Sequence, residues 1–139
     1  IGYAPKYVNW SFENCSQLIR IPRTAGIVPK IEIRSADACC NPYIAFKLIL
    51  AAGIDGIRSD DCSLLDSTMK SGKTPFDFQP LPSSLEEAFA TAKKSDFVRA
   101  SLSDEIVCNT FETFSKQIQE YNLAHNKDEF EERLYFKYI

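Results

Sequence analysis

The feature that most constrains the fold is the stretch KIEIRSADACCNPY at residues 30–43, where a strand pattern runs into the start of a helix. Side chains alternate between the two faces of an extended backbone, so Lys30, Glu32 and Arg34 share one face and the isoleucines between them share the other. Periodicity alone leaves two interpretations open. The charged face is either the solvated side of a half-buried strand, or a carboxylate between two cations that meets a bound anion and its metal.

A helix is predicted from Asn41 and Pro42 to about Ile57. Proline suits the first turn of a helix because its missing N–H has no intrahelical partner there. Apolar residues surround the axis of this helix almost entirely, which is typical of a helix buried behind a sheet. They are Ile44, Phe46, Leu48, Ile49, Leu50, Ala51, Ala52 and Ile54.

Two more strands are predicted upstream, at residues 6–12 and 17–21, because both stretches are rich in β-branched and aromatic residues and are bounded by turn sequences. Together with the strand at residues 30–34 they predict a sheet, for which antiparallel pairing is the simplest arrangement. The predicted fold class is therefore α+β, with short antiparallel strands backed by a buried helix and followed by a helical C-terminal half.

The rest of the chain divides into a loop and a helical region. Residues 59–82 carry three prolines and no clean period, which predicts a long surface loop. The SGKT sequence in this loop lacks the preceding strand that a phosphate-binding loop requires. Residues 83–139 carry helical signals, and with residues 1–58 as strands plus the buried helix we expect residues 1–139 to form a single unit.

Capping residues mark the helix starts of the second half. Ser83 or Ser84, followed three residues later by Glu86 or Glu87, forms a capping box. Ser103 precedes two acidic residues that suit the positive end of a helix dipole. One apolar stripe on the helix after Ser103 predicts a core-packing face. Its members are Val107, Phe111, Phe114, Ile118 and Tyr121.

The C-terminal sequence KDEFEERLYFKYI is aromatic and places Phe130, Leu134 and Tyr138 on one helical stripe. Two interpretations of this stripe stay open: packing on the chain's own core, or docking into another subunit. The single histidine, His125, has no cysteine nucleophile placed beside it by a recognisable signature, and we interpret it as a surface residue.

Composition limits the class of protein. The 139 residues carry a formal net charge of -3 and 45% hydrophobic residues, which argues against a nucleic-acid partner and suits one domain or a piece of one. No apolar run is long enough to cross a bilayer, and we expect no signal peptide. The five cysteines are an odd number without CxxC spacing, so the sequence predicts reduced thiols and a cytoplasmic protein.

Four stretches carry a resemblance to a known family: SQLIRIPR, KIEIRSADACCNPYIAFKLILAAGIDGI, LPSSLEEAF and DEFEERLYFKYI, in this order. Together they closely resemble the C-terminal part of the glutamine synthetase catalytic domain, and the resemblance covers nearly the whole chain. It implies an ATP-dependent ligase that joins ammonia to glutamate by way of a γ-glutamyl phosphate. It also implies magnesium or manganese as cofactor, and a homo-oligomer of stacked rings.

The resemblance implies roles for individual residues. Glu32 resembles a carboxylate ligand of a divalent cation, and Arg34 resembles the arginine that contacts the substrate and the transferred phosphoryl group. Arg20 is similar to a nucleotide-phosphate arginine, and Lys30 replaces a residue near the nucleotide that is usually arginine. Hard cations prefer oxygen ligands and guanidinium groups match phosphate oxygens, so these residue types suit an ATP-metal site.

Two departures from the family pattern affect its active site. The segment Gly2-Tyr3-Ala4-Pro5 lacks a flap glutamate that helps take a proton from ammonium, and Cys15 stands where the family has an arginine. The family's other metal carboxylates, its histidine ligand and most of its ATP contacts lie upstream, so we do not expect this chain alone to be active. Three interpretations follow: a portion of a glutamate-ammonia ligase, a degenerate relative with an assembly or regulatory role, or a related glutamate-amine ligase.

Overall fold

The computed structural model describes residues 4–23, 28, 30–59 and 78–136. Its backbone contacts divide the chain into two compact units. The sheet unit comprises Ile1–Ala38 and Ala52–Leu81, and the helical unit comprises Cys39–Ala51 and Pro82–Ile139. The predicted organisation, one unit with boundaries near residues 58 and 82, stays a prediction.

Within these described residues the chain forms one small sheet and five helices, which confirms the α+β class with a helical C-terminal half. The three strands are β1 at Trp10–Phe12, β2 at Ile19–Ile21 and β3 at Glu32–Ile33, in the order β1-β2-β3. The helices are α1 at Pro42–Ser59, α2 at Leu85–Lys94, α3 at Asp96–Ser101, α4 at Asp104–Leu123 and α5 at Lys127–Tyr135. None of the helices in the described ranges is long and apolar enough to span a membrane.

Strand pairing follows the prediction in one half of the sheet only. Strands β2 and β3 are antiparallel, as predicted, but β1 and β2 are parallel, so that part of the prediction is wrong. After β1 the chain turns at Glu13, which has a positive φ of 63°. Residues 13–18 then bring it back along β1, so that Ile19, the first residue of β2, lies beside Trp10, the first residue of β1. Asn9 fixes the return, because its side-chain oxygen accepts the Leu18 N–H at 3.0 Å and its carbonyl accepts the Ile19 N–H at 3.1 Å.

A second link in the sheet unit joins two segments that are far apart in sequence. Tyr7 and Pro80 form an isolated antiparallel bridge. Its hydrogen bonds run from the Val8 N–H to the Gln79 carbonyl and from the Leu81 N–H to the Lys6 carbonyl, both at 2.8 Å. The last residues of the predicted loop therefore pair with the chain ahead of β1. Residues 60–77 of that loop, including SGKT, lie outside the described residues.

Helix α1 starts as predicted but is not buried. The Asn41 side chain accepts the N–H of Tyr43 at 3.0 Å and of Ile44 at 3.4 Å, which caps the helix ahead of Pro42. No residue of α1 is buried, so the prediction of a buried helix is wrong for the chain as described. The sheet is too small to cover this helix, because strands of two or three residues span about 10 Å and a helix of 18 residues spans about 27 Å.

Side-chain caps begin the four helices of the C-terminal half. Ser84 caps α2 and accepts the Glu87 N–H at 3.2 Å, while the Glu87 carboxylate accepts the Ser83 N–H at 2.8 Å. The predicted capping box is thus present, with its return bond made to the residue before the cap. Ser95, Ser103 and Asn126 cap α3, α4 and α5 in the same way. Helix α3 was not predicted, because Ser95 both ends α2 and begins α3 without an intervening loop.

The helical unit contains the buried core of the described residues. Helix α4 presents the predicted apolar stripe inward, and Phe89 of α2 makes edge-on ring contacts with Phe111 and Phe114 at centroid distances of 5.5 and 6.4 Å. Tyr121 of α4 contacts Phe130 of α5 at 5.9 Å. Among the described residues, three apolar side chains are buried: Leu102, Val107 and Phe130.

The described members of the C-terminal stripe, Phe130 and Leu134, pack on the chain's own core. Phe130 is buried and Leu134 is half-buried, whereas Tyr138 lies outside the described residues. His125 is exposed, which confirms its interpretation as a surface residue. Phe136, which is not on this stripe, is 65% exposed. Docking of the C-terminal segment into another subunit stays a prediction.

Candidate functional site: a row of alternating charges on the sheet

The register of the sheet brings three polar residues into one line. Ser11 of β1 pairs with Arg20 of β2, and Arg20 pairs with Glu32 of β3. Side chains of directly paired residues share a face of the sheet, so these three lie side by side. Arg34, two residues beyond Glu32, lies on the same face because strand side chains alternate.

Charge-assisted hydrogen bonds connect this line. The Arg20 Nη1 donates to both carboxylate oxygens of Glu32, at 2.9 and 3.0 Å. The Arg34 Nη1 lies 3.7 Å from Glu32 Oε2, within ion-pair range but beyond a normal hydrogen bond. Glu32 therefore sits between two guanidinium groups, on the face that the alternation of the strand predicts.

A fourth member, Glu13, was missed by the sequence analysis. Its carboxylate pairs with the Arg20 Nη2 at 3.3 Å, and its carbonyl accepts the Arg20 Nε–H at 3.2 Å. The other carboxylate oxygen of Glu13 accepts the backbone N–H of Arg23. The sequence predicts a turn between β1 and β2, but nothing in it indicates that Glu13 takes a positive φ there. We call Glu13, Arg20, Glu32 and Arg34 the charged row.

The contacts within the charged row shift two protonation equilibria. The hydrogen bonds from Arg20 to Glu32 raise the pKa of the Arg20 guanidinium, which stays charged at any physiological pH. The Arg23 backbone N–H lowers the pKa of the Glu13 carboxyl, and the bond from Arg20 lowers it further. These contacts thus favour the ionised forms of the Glu13 carboxyl and the Arg20 guanidinium.

The two arginines of the charged row differ in spare hydrogen-bonding capacity. Arg20 uses Nε, Nη1 and Nη2 on Glu13 and Glu32. Arg34 makes one long ion pair, and its Nε is buried without a hydrogen-bond partner among the described residues. The hydroxyl of Ser11 is likewise buried and has no hydrogen-bond partner in the part of the chain that the structure describes. A buried donor is normally satisfied, so Arg34 has the least satisfied donors of the charged row.

Two of the remaining predicted positions, Lys30 and Cys15, lie among the described residues. Lys30 is exposed and contributes none of the ion pairs found in the described part of the chain. Cys15 is half-buried and its thiol lies 3.9 Å from the Glu13 carbonyl, a weak contact. Gly2 and Tyr3 of the predicted flap segment lie outside the described residues.

The charged row does not by itself fit a divalent cation. Both oxygens of Glu32 accept hydrogen bonds from Arg20, and both oxygens of Glu13 are also engaged. No group of three or more potential metal-ligating side chains occurs in the described ranges. A cation needs several oxygen ligands, so any metal site that includes Glu32 would draw its other ligands from outside these residues.

Comparison with known sequences identifies the family. The family model described as glutamine synthetase, catalytic domain, matches residues 2–133. The chain belongs to the glutamine synthetase catalytic-domain family.

Curated relatives agree with the family match. A glutamine synthetase of Thermotoga maritima is 35% identical over 96% of this chain and 32% of its own length. A glutamine synthetase of Methanosarcina mazei is 38% identical over 76% of the chain and 25% of its own length. A third, of Halobacterium salinarum, is 39% identical over 79% of the chain and 26% of its own length. The chain thus spans between a quarter and a third of the length of these relatives.

Proposed function

We propose that this chain is a portion of the catalytic domain of an ATP-dependent glutamate-ammonia ligase, in which the charged row holds an anionic group of the substrates. Family membership supports the reaction class. The observation that carries the site is the pairing of Glu32 with both Arg20 and Arg34. Since the chain spans only part of the length of its relatives, the complete active site includes residues outside it.

Arg20 and Arg34 have different roles in this proposal. Arg20 is a positioning residue, because all of its bonded nitrogens are committed to Glu13 and Glu32 and hold the Glu32 carboxylate in place. Arg34 is the group that contacts the substrate anion, because its donors are the least occupied in the row. A preorganised guanidinium stabilises charge on a transferring phosphoryl group without reorganising during the reaction. The direct contact of Arg20 with nucleotide phosphate stays a prediction.

The cofactors follow from the same proposal. ATP supplies the phosphoryl group that activates the side-chain carboxylate of glutamate for attack by ammonia, and magnesium or manganese is the predicted cation. Glu32 is the predicted ligand of that cation, together with ligands from outside the described residues. Lys30, exposed beside the strand, is predicted to lie near the nucleotide.

The proposal includes an assembly and a location for the protein. A homo-oligomer of stacked rings is predicted from the family resemblance, and the exposed Phe136 near the C-terminus is compatible with a contact to another subunit. A cytoplasmic location rests on the odd number of cysteines without CxxC spacing.

The proposal is tested in a chimera in which this chain replaces the matched segment of the Thermotoga maritima glutamine synthetase. We expect ATP- and glutamate-dependent conversion of ammonia to glutamine. Arg34→Lys should lower the turnover on the order of 100-fold, because the lysine keeps the charge but loses the planar set of donors. Lys94→Gln, an exposed substitution at the end of α2, is the control and should leave turnover unchanged. Equal turnover of the Arg34→Lys and unsubstituted chimeras would refute the role of Arg34.

A second candidate function is a degenerate family member kept for assembly or regulation. The neutral Cys15 in place of an arginine and the missing flap glutamate favour it. In the same chimera, activity that appears only after a glutamate is inserted between Tyr3 and Ala4 and Cys15 is changed to arginine would favour this candidate. Activity of the unaltered chimera would exclude it.

A further inference from the structure

Glu13 joins the charged row from the turn after β1, whereas Arg20 and Glu32 lie on paired strands. Its φ of 63° is uncommon for a residue with a long side chain, and such conformations persist where surrounding contacts hold them, often at functional sites. The carboxylate of Glu13 is held by the Nη2 of Arg20 at 3.3 Å and by the backbone N–H of Arg23. This carboxylate can therefore leave Arg20 without breaking the backbone pairing of β2 and β3.

The two carboxylates on Arg20 are held unequally. Glu32 accepts from Nη1 with both oxygens, at 2.9 and 3.0 Å, whereas Glu13 accepts from Nη2 with one oxygen at 3.3 Å. The side chain of Glu13 is 49% exposed, and those of Glu32 and Arg20 are 41% and 21% exposed. Glu13 thus has the longer bond and the greater exposure, so an anion from solution displaces Glu13 more readily than Glu32.

A phosphate group suits the place that the Glu13 carboxylate occupies. Carboxylate and phosphate oxygens both accept charge-assisted hydrogen bonds from a guanidinium group. Arg34 and Arg20 lie on one face of the sheet and both pair with Glu32, so a ligand with several anionic groups can approach both. An exposed ion pair is weak, and its replacement by a phosphate group on Arg20 costs little.

We propose that Glu13 is a resident anion on Arg20, which a phosphate group of a polyphosphate substrate displaces. While Glu13 is in place, it holds the guanidinium in position and repels other anions. Once Glu13 is displaced, the Nη2 of Arg20 donates to the ligand in addition to Arg34. The charge of Glu13 therefore sets the affinity of the charged row for polyphosphates, and it acts through Arg20. The inference rests on the proposed function in that a polyphosphate reaches the charged row, but it requires binding only and not the ligase reaction.

The binding experiment uses the full 139-residue chain and inorganic triphosphate as the probe. NMR follows the Arg20 Nε–H and the carboxyl carbons of Glu13 and Glu32 during a titration at fixed pH and ionic strength. We expect the Arg20 and Glu13 resonances to move more than that of Glu32. Glu13→Gln should bind triphosphate about two- to fivefold more tightly, the range for one exposed ion pair, because the amide keeps an acceptor for the Arg23 N–H and loses the competing charge.

Matched controls isolate the charge of Glu13. Glu87 also accepts a backbone N–H, from Ser83 at 2.8 Å, but takes part in none of the ion pairs found among the described residues. Glu87→Gln should therefore leave the affinity unchanged. In an Arg20→Gln background Glu13→Gln should gain nothing, because the guanidinium through which it acts is absent. Glu13→Asn is the second variant if the glutamine variant does not fold, since asparagine more often adopts a positive φ.

The chimera with the Thermotoga maritima enzyme gives a second measurement. Glu13→Gln should lower the KM for ATP about two- to fivefold, because the competing carboxylate is gone. A merely structural role of Glu13 would instead lower kcat. An inactive chimera would defeat the proposed function alone, since the triphosphate titration still decides this inference.

Three outcomes of the titration would overturn the inference. The first is equal affinity of the unaltered and Glu13→Gln chains, including no binding by either. The second is the same gain from Glu13→Gln in the Arg20→Gln background, which would make Glu13 a general repulsive charge. The third is movement of the Glu32 carboxyl resonance without movement of the Glu13 resonance, which would make Glu32 the displaced partner.

Discussion

The sheet unit and the helical unit are stabilised in different ways. In the described part of the sheet unit no side chain is buried, and the three short strands are joined by backbone hydrogen bonds and by the charged row. The helical unit buries Leu102, Val107 and Phe130 and begins its helices with side-chain caps. The candidate site thus lies in the unit with the least apolar burial of its own, while the unit with a core carries no part of the charged row.

This difference has a physical explanation. Strands of two or three residues are too short to form an independently stable sheet, and exposed ion pairs contribute only a few tenths of a kcal/mol to about 1 kcal/mol each. Apolar burial and capping contribute more per residue. The helical unit should therefore respond strongly to loss of a buried side chain, and the sheet unit should respond mainly to changes of charge.

The largest effect is expected from Phe130→Ala. Phe130 is 7% exposed and contacts the ring of Tyr121, so the substitution removes buried apolar surface and leaves a cavity. We expect the free energy of unfolding of the helical unit to fall by about 3 kcal/mol, measured by urea denaturation followed by circular dichroism. Phe136→Ala, at a position 65% exposed, is the control and should change it by less than about 1 kcal/mol. Similar losses for both variants would show that the helical unit has no core at Phe130.

A smaller effect is expected from Ser103→Ala at the start of α4. The Ser103 hydroxyl oxygen accepts the Ile106 N–H at 3.4 Å, and its loss leaves that donor to water. We expect a loss of about 1 kcal/mol in the same urea measurement. Ser101→Ala, at the last residue of α3 and outside a cap, serves as the comparison. A loss no greater at Ser103 than at Ser101 would contradict a capping role.

The charged row is tested by Arg20→Gln. This change leaves the carboxylates of Glu13 and Glu32 without their shared cation. We expect amide hydrogen exchange in β2 and β3 to become roughly two- to fivefold faster, the range for an exposed ion pair, while exchange in α4 stays unchanged. High salt should shrink the difference, because it screens exposed charges. A difference that persists at about 1 M salt would point to packing of the arginine stem instead.

The smallest effect is expected from lowering the pH, which should reduce local stability in both units. The backbone N–H of Arg23 lowers the pKa of Glu13 in the sheet unit, and the Ser83 N–H and hydroxyl lower the pKa of Glu87 in the helical unit. A lowered folded-state pKa gives stability that is present above the ordinary carboxyl value and is lost as the pH falls through the folded-state value.

We therefore expect local amide protection near both residues to fall as the pH drops from about 5 to about 3. Glu13→Gln should remove the dependence in the sheet unit only, and Glu87→Gln in the helical unit only. Carbon-13 NMR of the carboxyl groups measures each titration directly. A titration of either wild-type residue at the ordinary carboxyl value would contradict the contacts described for it.

The elements with a local signal were predictable from the sequence. The alternation at residues 30–34 placed Glu32 and Arg34 on one face, and the capping serines marked the starts of α2 and α4. The members of the charged row that were hardest to place depend on non-local geometry. Arg20 meets Glu32 through the register of β2 and β3, and Glu13 joins them from the turn after β1, where it has a positive φ.

Two predictions failed for related reasons. The parallel pairing of β1 and β2 depends on the tight return held by Asn9, which composition and periodicity do not encode. The burial of α1 was inferred from its own apolar residues, but burial also requires a covering surface. Such a surface is a property of the whole fold, and the sequence of one helix cannot supply it.

The bridge between Tyr7 and Pro80 has a consequence for the order of folding. A ribosome makes the chain from its amino terminus, so residues 4–8 leave it long before their hydrogen-bond partners at residues 79–81 exist. Contacts between residues so distant in sequence form slowly, because a long loop must close first. The segment ahead of β1 therefore waits for more than half of the 139 residues to be synthesised before its native pairing can form.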